Sequence, residues 1–274
     1  MRKMTLEEVH EVLYDILVDI HEFCVDNGIE YSLGGGTLLG AIRHNGFIPW
    51  DDDIDIQFSR PEYERFIHNY RSKRGYQLFA RELSGCEDVG VAFARVCEME
   101  RTYVDTGLNP WQKKATGLWV DIMPIDGAPD NEKDAKKKIK KMIFFWRISI
   151  LSRAKLPIDL KTAKGMNMKT RLVARKVLSK LIPSSFIVKY IKMCQEYPYE
   201  KSAYIANYTT MQNGIREWQP RESMDKFVLH QFEDGEFYIM EDYNTSLSHL
   251  YDNYMVLPPV EKRVAHGINS FYWK

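Results

Sequence analysis

Gly34, Gly35 and Gly36 lead through a short apolar stretch to four acids, Asp51, Asp52, Asp53 and Asp55. That succession reads as a phosphate cradle beside a metal site. Glycine lets backbone N–H groups approach an anion closely, which makes Gly35 and Gly36 candidate phosphate contacts. Thr37 to His44 reads as a short helix whose N-terminal dipole points at the same anion. The acids that follow would hold a divalent cation against that phosphate. Taken singly, the glycines suit a flexible turn and Asp51 to Asp53 suit a solvated loop or helix cap. Their conjunction is what points to chemistry.

Asp53 to Phe58 alternates polar with apolar residues and is expected to be a strand. Strand parity then presents Asp53 and Asp55 side by side while Ile54 and Ile56 enter the core. Two carboxylates so placed repel each other unless a cation lies between them, and hard oxygen ligands select Mg²⁺ or Mn²⁺. Asp121 is the third acid, because it interrupts the apolar run Leu118 to Met123, where a carboxylate needs a partner. That partner is either the metal shared with Asp53 and Asp55 or an arginine such as Arg95. Asp121 also suits the role of base for an acceptor hydroxyl. Three carboxylates holding two ions can stabilise the attacking and leaving oxygens of a phosphoryl transfer.

Further candidates surround this group. Arg43, at the end of the short helix, either clamps a phosphate or caps the helix C-terminus, and His44 orients the loop. Lys262, Arg263 and His266 supply cations near the end of the chain, with surface roles as the alternative.

The elements that must position these residues follow from pattern. Thr5 and Glu8 form a capping box, and Val9, Val12, Leu13, Ile16, Leu17, Ile20 and Phe23 recur at helical spacing until Asn27-Gly28. Ile29 to Leu33 is a strand feeding the glycine turn, and Pro61 opens a helix running to about Arg71. Runs at 77–80, 91–96, 102–104 and 118–123 suggest further strands of a mixed sheet. Pro124, Gly127 and Pro129 are expected to end the last of these. A helix is expected from Tyr243 to Asp252. The fold class is α+β, with a catalytic core over 1–130, a basic helical insertion over 131–200 and a segment 201–274 that completes the core.

The chain has 274 residues, 45% hydrophobic, enough for one large domain with an insertion. Its zero net charge conceals an asymmetry. Lys133 to Lys192 holds eighteen Lys/Arg against two acids, a net +16 that leaves −16 for the rest. Four cysteines without C-x-x-C spacing, a start lacking a signal-peptide apolar core and the absence of a long apolar run suggest a cytoplasmic protein.

Gly36-Thr-Leu-Leu-Gly-Ala-Ile-Arg43 and Gly46-Phe-Ile-Pro-Trp-Asp-Asp-Asp-Ile-Asp55 resemble the signature of the LicD family, phosphorylcholine transferases of bacterial surface glycans within the nucleotidyltransferase superfamily. The resemblance continues through Trp119 to Asp126 and Tyr254 to Arg263, and so spans nearly the whole chain. It implies a nucleotidyltransferase-like sheet core in which Gly36-Thr37, Asp53 with Asp55, and Asp121 fill the motif positions, with the Thr37 hydroxyl available to phosphate. It also implies a Mg²⁺-dependent transfer of phosphocholine from CDP-choline to a sugar hydroxyl of a lipopolysaccharide or teichoic-acid precursor, releasing CMP. Choline would then need an aromatic surface, for which Trp50, Trp111, Trp119 and Tyr208 are candidates. Other members move a polyol phosphate or sugar phosphate, and a nucleotidyltransferase proper or an inactive binding protein are the remaining alternatives. The basic segment 133–192, interleaved with Phe144, Phe145 and Trp146, suits either a solvated subdomain or peripheral contact with an anionic membrane that carries a lipid-linked acceptor. No nucleic-acid module is recognisable.

Overall fold

The computed structural model describes residues 1–106, 116–153, 170, 173, 177, 181–183, 185–264 and 270–274. In chain order its main elements are β1 (Arg2–Lys3), α1 (Leu6–Asn27), β2 (Ser32–Leu33), α2 (Gly35–His44), β3 (Asp55–Ser59), α3 (Arg60–Asn69), β4 (Gln77–Phe79), β5 (Ala94–Glu98), β6 (Thr102–Asp105) and β7 (Leu118–Ala128). There follow α4 (Glu132–Arg153), α5 (Phe186–Cys194), β8 (Tyr204–Ala206), β9 (Gln219–Pro220), β10 (Phe227–Phe232), β11 (Gly235–Met240), α6 (Tyr243–Tyr251) and β12 (Ser270–Trp273). The protein is α+β.

The central sheet runs β2-β3-β7-β5-β4, with β8 and β9 continuing from the far end of β7. β3 and β7 are parallel, whereas β2–β3, β5–β7 and β4–β5 are antiparallel, so the sheet is mixed. Residues alternate across it. One face presents Asp55, Asp121 and Arg95, which are register partners across β3, β7 and β5. Ile56, Ile122 and Ala94 are the next register partners and point the other way, fully buried.

Helix α1 packs across β7 and β5. Its apolar stripe, Val9, Val12, Leu13, Ile16, Leu17 and Ile20, is buried throughout, each large side chain contributing about 1.5–3 kcal/mol. The capping box starts it: Glu8 N–H donates to Thr5 Oγ1 at 3.2 Å and Thr5 N–H to the Glu8 carboxylate at 2.9 Å. Gly28 ends it at φ 59°, a left-handed position suited to glycine.

Several boundaries differ from those expected. The strand expected from Asp53 begins at Asp55, and the one expected over 91–96 lies at Ala94–Glu98. Only Ser32 and Leu33 of the 29–33 run pair as strand, and α2 starts at Gly35 rather than Thr37. The largest departure is β7, which continues through Pro124 to Ala128. Asp121 N–H donates to Ile54 O, just before β3, so by alternation the N–H that Pro124 lacks would face β5. Pairing with β5 has already ended at Ile122, and proline therefore costs the ladder nothing there.

The described parts of the basic segment form α4 and α5. Ile139 and Met142 of α4 join Ile187, Tyr190 and Ile191 of α5 in a second apolar cluster, separate from the main core. Lys138 is buried there, 3.3 Å from Glu196 and 4.8 Å from the Tyr208 ring centroid. Phe144 is exposed. Among the described residues no helix is long and apolar enough to cross a membrane. All four cysteines are buried and unpaired with one another.

Candidate active site

The glycine turn and β3 are stitched together by their backbones. Gly34 N–H donates to Asp55 O at 2.9 Å, and Asp55 N–H donates to Thr37 Oγ1 at the same distance. Thr37 is buried and its hydroxyl oxygen accepts from Asp55 N–H, so it braces the acid, while its O–H remains a donor. Gly35 has φ +50°, and a Cβ on it would sit 3.1 Å from Asp55 Oδ2. A Cβ on Gly36 would come within 2.8 Å of Asp51 Oδ2. The two glycines are required because carboxylates lie directly on the first turn of α2.

Asp53 precedes the strand, yet its charge acts on Asp55 alongside those of Asp121 and Asp51. Burial first, then these three carboxylates, push the Asp55 carboxyl well above the usual range, with Arg95 opposing them. Carboxylate oxygens of Asp51, Asp52 and Asp53 lie within 4.8 Å of one another. The acidic group is therefore wider than strand parity indicates, because the chain folds back before β3 begins. His10 Nε2 contacts Asp51 O at 2.7 Å while its ring stacks on Phe47 at 3.9 Å, anchoring this loop to α1.

Asp121 pairs with Arg95, whose Nε donates to Oδ1 at 2.6 Å and whose Nη2 lies 3.4 Å from Oδ2. The guanidinium lies 4.1 Å over the Trp119 ring. Of the two partners open to Asp121 from sequence, the arginine is thus present. Asp121 also shares a sheet face with Asp55 across the parallel pair, and its charge acts on the Asp55 carboxyl. An all-oxygen donor set of this kind fits a hard divalent cation, for which Asp53, Asp55 and Asp121 are the candidate ligands, with Asp51 adjacent.

These groups line a cleft of 690 Å³, together with Glu217 and Tyr251. Burial, and next the Asp55 carboxylate, raise the Tyr251 hydroxyl above its usual range and keep it a neutral phenol. The profile of the family described as "LicD/FKTN/FKRP, nucleotidyltransferase domain" matches residues 28–146, from the end of α1 into α4. Over its whole length the chain is 31% identical to the lipopolysaccharide cholinephosphotransferase LicD of Haemophilus influenzae, an alignment of 277 residues covering 99% of both. The chain belongs to the LicD family. It is a transferase. The human ribitol 5-phosphate transferase FKRP is 59% identical over 29 residues, 11% of this chain and 6% of that protein.

The family match contains the glycine turn, every acid of the cluster and Arg95. Of the residues singled out from sequence, Gly35, Gly36, Trp50, Trp119 and Lys262 line the cleft with the three acids. Arg43 stands behind it, donating to Tyr254 O at 2.8 Å and to His44 Nε2 at 3.0 Å. His44 meets the edge of Trp50, and Arg263 lies 5.7 Å over that indole. Arg43, His44 and Arg263 thus brace the Trp50 wall. Tyr208 is fully buried beneath Lys138 and is not among the cleft-lining residues, so as placed it offers no surface to a ligand. Trp111 and His266 lie outside the described residues.

Sequence reasoning missed Glu217 and Tyr251. Tyr251 ends the helix expected from 243 onward, but nothing in its spacing relates it to Asp55. Glu217 sits on the 3₁₀ turn Gly214–Glu217 in a polar stretch where an acid carries no signal of burial.

Proposed function

We propose that the protein transfers a phosphoryl-linked group from a CDP-activated donor to a glycan hydroxyl, with phosphocholine from CDP-choline as the group moved and CMP as the product. The relatives supply the reaction class: one is named a lipopolysaccharide cholinephosphotransferase and another a ribitol 5-phosphate transferase. The choline reading is preferred because the cholinephosphotransferase aligns end to end, whereas the ribitol phosphate transferase aligns over a short segment. The observation that carries the site is the placement of Asp55 against Gly35 and in register with Asp121.

Asp53, Asp55 and Asp121 would hold Mg²⁺ or Mn²⁺, which when bound offsets charge on the diphosphate. Burial first, and then the crowding of negative charge that such a cation relieves, raise the Asp55 carboxyl. The acceptor hydroxyl attacks the phosphorus that bears choline, in line with the leaving oxygen. A new O–P bond forms, the bond to the CMP oxygen breaks, and the hydroxyl proton passes to a carboxylate, a role we assign to Asp121. The 2.6 Å pair with Arg95 fixes the Asp121 side chain, which supports that assignment. Lys262 lines the cleft and would offer a cation to the diphosphate. Peripheral membrane contact through 133–192, near a lipid-linked acceptor, belongs to the same proposal.

Incubation with Mg²⁺, CDP-choline and candidate glycan acceptors tests it. Release of CMP with phosphocholine appearing on the glycan is expected. Release only from a CDP-polyol donor would move the assignment to the polyol phosphate reading, and pyrophosphate release from a nucleoside triphosphate would move it to nucleotidyl transfer.

A further inference from the structure

Glu217 is 7% exposed, yet it lines the same cleft as Asp55 and Asp121. Asn213 Nδ2 donates to its Oε1 at 2.6 Å, and among the described residues no cation lies against the carboxyl. The neighbouring Arg216 is engaged elsewhere, with Asp252 Oδ2 at 2.8 Å and Leu250 O at 3.0 Å. Glu217 is therefore a buried acid in a binding cleft with one hydrogen bond. Burial pushes its carboxyl up to about 7, which fits a group waiting for a positive partner.

The surroundings restrict what that partner is. Helices α4 and α6 both pack against the Gly214–Glu217 turn, and Trp146 of α4 and Tyr251 of α6 line the cleft. Glu217 stands apart from the Asp51, Asp52 and Asp53 cluster that could gather a metal ion. A lone carboxyl in a cleft that aromatic side chains also line suits an organic cation, whose diffuse charge meets π faces and a single counter-charge at little desolvation cost.

We propose that Glu217, in the cleft that Trp146 and Tyr251 also line, binds the quaternary ammonium headgroup of the donor. The donor's identity rests on the function proposed above; the cation site rests on the placement of Glu217. It makes the Glu217 charge a determinant of donor choice.

Calorimetric titration of the full chain with choline and with 3,3-dimethylbutanol, its neutral isostere, reads this directly, alongside CMP release from CDP-choline by the same samples. Wild-type protein is expected to prefer choline by about tenfold or more, and Glu217→Gln to abolish the preference while Glu217→Asp retains part of it. No choline binding, equal affinity of the wild type for both ligands, or an unchanged preference in Glu217→Gln would overturn the site. The wild-type comparison needs no variant to fold. Glu217-dependent choline binding without CMP release would keep the cation site and refute CDP-choline as donor. CMP release with an unchanged choline preference in Glu217→Gln would do the reverse.

Discussion

Asp55 and Asp121 are register partners on adjacent parallel strands, one pressed against Gly35 and the other held by Arg95. Two carboxylates on one sheet face, with Asp51 and Asp53 acting on the first, make a site that is electrostatically unfavourable without a cation. Removing one charge should therefore help the metal-free protein. Asp55→Asn is expected to raise the melting temperature in EDTA, while Mg²⁺ should stabilise the wild type and not the variant. A lower melting temperature for Asp55→Asn in EDTA would contradict this reading.

Gly36 brings the first turn of α2 close to the acids, since a Cβ there would lie 2.8 Å from Asp51 Oδ2. The clash falls on a side chain that can move, so Gly36→Ala should fold and displace Asp51. A fall in kcat of about 100-fold, the scale of an ångström-sized misplacement, is expected with little change in urea midpoint. Unchanged turnover would show that the glycine is not needed for the site.

The raised Glu217 carboxyl has a consequence for stability. A folded-state value of about 7 lies above that of an unfolded glutamate, so the stability it contributes is complete below about pH 4.5 and lost as pH rises through about 7. Glu217→Gln removes this loss. It should match the wild type near pH 5 and exceed it at pH 8 by up to about 3 kcal/mol in denaturant unfolding. Equal stability at pH 8 would show that Glu217 ionises freely in the cleft.

Away from the cleft, Arg60 at the start of α3 grips Asp126 of β7 through two hydrogen bonds of 2.7 and 2.8 Å, with the aspartate side chain 1% exposed. Arg60→Ala leaves that carboxylate buried and alone, at an expected cost of about 3–5 kcal/mol by urea unfolding. A cost under about 1 kcal/mol would mean that Asp126 finds another partner or protonates.

Much of this arrangement is legible in the sequence because it is local. The α1 stripe, the glycine turn into α2 and the lone acid of the Leu118–Met123 run are all set by periodicity or by a charge out of place. Parity assigns Asp55 correctly to the face opposite Ile56, but it treats Asp53 as part of a strand that begins two residues later, and so separates Asp51 from a cluster it joins. Thr37 shows the limit for hydroxyls: nothing in its spacing tells that its oxygen accepts from Asp55 N–H and braces that acid. Pro124 misleads because its effect depends on which neighbour its missing N–H would face, a property of the sheet and not of the residue. Glu217 and Tyr251 come from beyond the glycine turn and acidic strands, and only long-range packing of α4, α6 and the Gly214–Glu217 turn brings them to the acids.

The central claim is that the Asp53, Asp55 and Asp121 carboxylates act through a divalent cation in transferring a group from a CDP donor. CMP release from CDP-choline, measured across a Mg²⁺ titration that starts in EDTA for wild type and Asp55→Asn, tests it most directly. The expected result is no release in EDTA, recovery with Mg²⁺ or Mn²⁺ in the wild type, and at least a hundredfold loss (about 10²) in Asp55→Asn at every metal concentration. Wild-type release that is undiminished in EDTA, or full activity of Asp55→Asn, would contradict it.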